Sequence, residues 1–120
     1  MGRLIVNADD FGLTSGVNRA IVELHAAGLV TSTSLMARAG ATDEAIEMAC
    51  ATPSLGVGCH IVLVDGEPVL PPERIPSLVD ARTGQFLHSL TAFLARLFTG
   101  RIRGEEIEAE AAAQIARLQG

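Results

Sequence analysis

Three apolar, β-branched runs at residues 3–8, 29–36 and 55–64 constrain this chain most. The segments between them repeat their apolar residues every three or four positions, which gives the order β-α-β-α-β. Connections this short join parallel strands through helical crossovers, so the fold class expected is α/β with a parallel sheet. Arg3 to Ala8 (RLIVNA) is an apolar run leading into two acids and reads as a buried first strand. A Gly-containing loop, Phe11 to Ser15, then offers Thr14 or Ser15 as a helix N-cap. Val17, Ala20, Ile21 and Leu24 form the apolar face of that helix, and Gly28 is placed to end it in a left-handed C-cap. Leu29 to Met36 (LVTSTSLM) reads as the second strand. A second helix starts near Thr42, with Asp43 and Glu44 suited to its positive end, and Pro53 closes it. Leu55 to Val64 (LGVGCHIVLV) reads as the third strand.

Beyond Asp65 the character changes. Residues 65–84 hold Pro68, Pro71, Pro72 and Pro76 and read as a long Pro-rich loop, of the kind that is usually functional or disordered. Two helices follow. One runs near Ser89 to Thr99 with Leu90, Phe93, Leu94, Leu97 and Phe98 as its apolar stripe. The other runs near Glu105 to Gln119 with Ile107, Ala111, Ile115 and Leu118. With 120 residues the expectation is one domain spanning residues 1–120. Three parallel strands would leave open sheet edges and uncovered apolar faces, which favours a homodimer or larger assembly.

Composition removes several classes of function. A net charge of −5 argues against a nucleic-acid or anionic-membrane surface. All nine basic residues are Arg, so Schiff-base chemistry and P-loop phosphate binding, which need a lysine, are excluded. Trp and Tyr are absent. No apolar stretch approaches the roughly 18 residues of a transmembrane helix, and residues 1–6 lack signal-peptide anatomy, so a soluble cytoplasmic protein is expected. Cys50 and Cys59 lack metal-type spacing and read as two buried free thiols.

The stretch Asn7-Ala8-Asp9-Asp10-Phe11-Gly12 is the most informative. Two adjacent carboxylates at the end of a first strand lie where α/β and barrel folds place their active sites. Side chains alternate along a strand, so the pair divides labour only if the chain turns, and Phe11-Gly12 permits that. One carboxylate could then bind a divalent cation while the other stays free as a general base. The plainer reading is a pair of turn or capping acids. His60 is the second element. Alternation places Gly58, His60 and Val62 on one face of the third strand, and Gly58 would admit a close approach to the backbone. A lone strand histidine is commonly a core residue, but beside the Asp pair it completes a partial shell for zinc or a harder divalent metal. His25, on the first helix, reads as structural, and His88 as a residue flanking a helix start. Asp65-Gly66 is foremost a turn, with a substrate contact by Asp65 as a further possibility.

Leu4 to Gly12, Val17-Asn18-Arg19-Ala20-Ile21, Gly28 to Met36 and Gly58-Cys59-His60-Ile61-Val62-Leu63 together resemble the YdjC-like carbohydrate deacetylase family, in order across residues 3–64. The stretch Val64 to Pro71 is similar to the branch associated with hopanoid lipid biosynthesis. The resemblance implies the N-terminal portion of a distorted (β/α) barrel and metal-dependent hydrolysis of the N-acetyl group of an N-acetylated sugar or glycolipid. Carried over residue by residue, Asp9 would be the general base, and Asp10 and His60 the ligands of a divalent metal, Mg or Zn. Members of the family are roughly twice this length, with a further histidine motif that has no counterpart here. The chain therefore reads as an N-terminal fragment, expected to bind metal weakly and to show little activity alone.

Two other classes compete. A receiver-like signalling domain shares the early acidic pair, but needs an acceptor Asp at the end of the third strand and a later Lys, where this chain has His60 and no Lys at all. The other is a non-catalytic interaction module that keeps the fold without the chemistry.

Overall fold

A computed structural model describes residues 2–120. The element order is β1 (Asn7–Phe11), α1 (Ser15–Ala26), β2 (Ser32–Met36), α2 (Thr42–Ala51), β3 (Gly56–His60), a short 3-10 turn (Pro72–Arg74), α3 (Leu90–Phe98) and α4 (Gly104–Gln119). The chain forms two compact units, one ending at His60 and the other beginning at Ile61.

In the first unit the three strands form one parallel sheet in the order β1-β2-β3. The expected α/β class holds, and among the described residues the sheet is open rather than closed into a barrel. Thr14 caps α1 by accepting from the Val17 N–H at 3.2 Å. Gly28 ends it at φ 78°, a left-handed conformation that glycine adopts without Cβ strain. Helices α1 and α2 pack on each other and against β1 and β2. The buried apolar residues are Phe11, Ile21, Val30, Leu35, Met36, Ala37, Ala45 and Leu55.

The strand boundaries depart from the sequence reading. β1 begins at Asn7, and Leu4 and Ile5 are 82% and 77% exposed. An apolar run becomes a buried parallel strand only when layers cover both its faces. β1 is an edge strand here, and its pairing with β2 registers Asn7 with Ser32. β2 and β3 are likewise shorter than the runs that announced them. The polar run Thr31-Ser32-Thr33-Ser34 grips β1 through its hydroxyls. Thr31 Oγ1 accepts from Val6 N at 2.9 Å, Ser32 Oγ donates to Asn7 Oδ1 at 2.8 Å, and Thr33 Oγ1 donates to Ala8 O at 2.7 Å.

The second unit is organised by polar groups. Ile75, Leu78, Val79 and Phe86 form its buried cluster, with Val62, Leu63, Leu70, Phe93, Ile102 and Ile107 against it. Of the apolar stripe expected on α4, Ile107 packs against the cluster and Ala111 and Leu118 are half-buried, but the most deeply buried residues of the helix are polar. Glu106, Glu110 and Gln114 are 5%, 0% and 2% exposed, whereas Ile115 is 41% exposed. The Pro-rich segment supplies the reason. Glu110 accepts from the N–H groups of Val69 and Leu70 at 2.8 and 2.9 Å, and Glu106 accepts from Ser77 N and Oγ at 2.8 and 2.6 Å. Gln114 accepts from Val62 N and donates to Val62 O at 2.9 and 2.7 Å. A segment with little regular structure of its own has no ladder to satisfy its backbone, so α4 provides the partners. α3 buries none of its residues, and Leu90 and Phe98 of its expected stripe are 62% and 83% exposed.

Candidate active site

The ladder between β1 and β2 shifts register between Ala8 and Phe11. Asp10 lies in that irregularity at φ 65°, a left-handed conformation costing a non-glycine residue about 1–2 kcal/mol. The chain thus turns at Asp10 itself, one residue earlier than Phe11-Gly12, and both carboxylates contact residues on the sheet face that carries Ser34 and His60. Gly12, at φ 99°, follows in a close-packed position, where an added Cβ would lie 3.2 Å from Thr42 and 3.3 Å from Leu35.

Asp9 and Asp10 make different contacts. Asp9 Oδ1 accepts from Ser34 Oγ at 2.8 Å and from Asn7 Nδ2 at 2.9 Å. Asp10 Oδ1 lies 3.5 Å from His60 Nε2. The other ring nitrogen, Nδ1, lies 3.0 Å from Ser34 Oγ. The strand register explains this meeting: Ser34 pairs with Gly58 and Met36 with His60, so Ser34 and His60 share one face of the sheet. Alternation therefore assigned the face of His60 correctly. Gly58 does not admit a close approach of the protein, because a Cβ there would meet nothing within 4 Å.

The donor set fits a divalent cation. Donors held about 2.0–2.1 Å from a tetrahedral ion stand about 3.4 Å apart, and the 3.5 Å between Asp10 Oδ1 and His60 Nε2 matches that edge. The two side chains are 50% and 29% exposed, so both are open to solvent. Among the described residues no group of three or more His, Cys, Asp or Glu side chains could hold a metal.

The remaining candidates lie elsewhere. His25 has two partners, Val30 O at 2.7 Å and Ser54 Oγ at 2.8 Å, and ties α1 to the segments before β2 and β3. His88 is exposed, beside the Ser89 N-cap of α3. Asp65 belongs to the second unit, exposed at φ 56°, with its N–H donating to Leu87 O at 2.8 Å. Cys50 is exposed rather than buried, whereas partial burial of Cys59 raises its thiol pKa above the ordinary value.

Sequence reasoning missed two residues of this region. Ser34 passed as one hydroxyl in a β-branched run, and only its place opposite the Asp pair marks it. Asn18 is fully buried: Oδ1 accepts from Gly12 N at 2.7 Å, while Nδ2 donates to Ala41 O at 3.0 Å. A polar residue on the inward side of an amphipathic helix was the available signal.

The chain is similar to known proteins along nearly its whole length. A carbohydrate deacetylase of Brevibacillus brevis is 43% identical over 116 residues, covering 97% of this chain and 43% of that protein. A chitooligosaccharide deacetylase of Klebsiella pneumoniae is 40% identical, covering 96% and 42%. A crystal structure of an Enterococcus faecalis protein superposes with a TM-score of 0.83 at 38% identity, covering 96% of this chain and 42% of that one. The chain thus spans less than half the length of these relatives. The profile of the YdjC-like protein family matches residues 3–119, and the chain belongs to that family.

Proposed function

We propose that this chain carries the metal-binding and base-supplying part of a carbohydrate N-deacetylase, which hydrolyses the acetamido group of an N-acetylated sugar. One observation carries the reading: Asp10 and His60 approach to 3.5 Å while the adjacent Asp9 is hydrogen-bonded to Ser34 and Asn7. The deacetylase names of the relatives support the substrate class.

Asp10 Oδ1 and His60 Nε2 would hold the ion, Mg or Zn, and when bound it supplies Lewis-acid polarisation of the acetamide carbonyl. Asp9 is the general base. Its Oδ1 is fixed by two hydrogen bonds, which leaves Oδ2 to take the proton of the attacking water. A glycolipid substrate of the hopanoid branch, and a substrate contact by Asp65, are finer parts of the same proposal. Replacing Asp65 with Ala should weaken binding of an N-acetylated chitooligosaccharide, read by calorimetry, and leave zinc binding unchanged.

Zinc titration by calorimetry tests the core of the reading. Binding is expected to be lost in Asp10→Ala and in His60→Ala and retained in Asp43→Ala, a first-turn acid of α2. Equal affinity in all four proteins would remove the metal assignment.

A further inference from the structure

Ser34 stands between the proposed base and the proposed ligand, 2.8 Å from Asp9 Oδ1 and 3.0 Å from His60 Nδ1. Its hydroxyl has one proton and must satisfy both contacts. A carboxylate oxygen accepts, so the Ser34 hydroxyl donates to Asp9. The contact with His60 then needs its proton from the ring: Nδ1–H donates to Ser34 Oγ. The reverse assignment, with Ser34 donating to Nδ1, would press two acceptor oxygens together at 2.8 Å. It would also make Nε2 the protonated nitrogen, whose partner among the described residues, Asp10 Oδ1, lies at 3.5 Å, beyond the range of a good N–H···O bond.

We propose that Ser34 is a positioning residue that fixes His60 in its Nδ1–H tautomer, turning the Nε2 lone pair toward Asp10, and with the same hydroxyl orients Asp9. For its catalytic consequence this rests on the deacetylase reading above. The tautomer itself does not. Ligating histidines commonly have their second nitrogen held by an outer partner, and loss of such a partner lowers metal affinity about 10–100-fold. Here one serine serves ligand and base together.

Nitrogen-15 correlation spectra of the metal-free chain, recorded above the ordinary titration range of imidazole, read the tautomer directly, with His60→Ala identifying the signals. The Nδ1–H pattern is expected for His60 in the wild type, a shift toward Nε2–H in Ser34→Ala, and recovery in Ser34→Thr. Ser32→Ala, which loses a hydroxyl bonded to Asn7 rather than to the ring, should leave the pattern unchanged. Zinc affinity is expected to fall about 10–100-fold in Ser34→Ala and to recover in Ser34→Thr. An Nδ1–H pattern that persists in Ser34→Ala, or an Nε2–H pattern in the wild type, overturns the proposal. If the tautomer responds as stated but zinc binding is indifferent to Asp10→Ala and His60→Ala, the metal reading fails and the role of Ser34 in the ring's orientation stands.

Discussion

Asp10 combines a carboxylate with a backbone conformation that most residues resist, and these two properties separate by mutation. Asp10→Gly removes the carboxylate and relieves the positive φ, whereas Asp10→Val removes the carboxylate and worsens it. Urea denaturation should find Asp10→Val less stable than Asp10→Gly by about 1–2 kcal/mol, with zinc binding lost in both. Asn18 acts one step further back. Its buried amide satisfies the Gly12 N–H directly after the Asp pair. Asn18→Ala leaves that donor without a partner and should cost about 1–3 kcal/mol in the same assay. The cysteines differ in a way that only burial decides. With its pKa raised by desolvation, Cys59 has less thiolate at a given pH than an exposed thiol. A thiol reagent at mildly alkaline pH should label Cys50 well before Cys59, and equal rates would show that Cys59 is open to solvent.

At the scale of elements, the two units follow different rules. In the first, apolar periodicity and cap residues located α1 and α2 closely, because local signals such as Thr14, Gly28 and Pro53 act within a few residues of where they stand. In the second, periodicity found a stripe of α4 that is only partly buried, with Ile107 against the core, and missed the polar residues buried beside it. Glu106, Glu110 and Gln114 stand at i, i+4 and i+8, a helical stripe as regular as an apolar one, and it meets backbone donors instead of a core. Glu110→Gln removes one acceptor oxygen and sets an amide N–H against one of two buried backbone donors. Amide exchange at Val69 and Leu70 should accelerate at least tenfold in that variant, which corresponds to about 1.4 kcal/mol of lost local stability. Unchanged protection would show that the segment is held by its apolar contacts alone.

For the whole molecule, the open sheet and the exposed apolar residues Leu4, Ile5, Leu90 and Phe98 carry the expectation of self-association. Light scattering should find a species of at least twice 12.5 kDa, and a monodisperse monomer would refute it. Among the described residues, no helix is long and apolar enough to cross a membrane. The sequence by itself determined the order of elements, the parallel α/β class and the candidacy of Asp9, Asp10 and His60. Those properties reside in local periodicity, turn chemistry and residue type. Only the tertiary structure decided that β1 turns at Asp10, that Asp10 and His60 meet across a strand lying between them, and that Ser34 joins His60 to Asp9. Such facts depend on register, and register is set by pairing between residues about 25 positions apart, which no local pattern records.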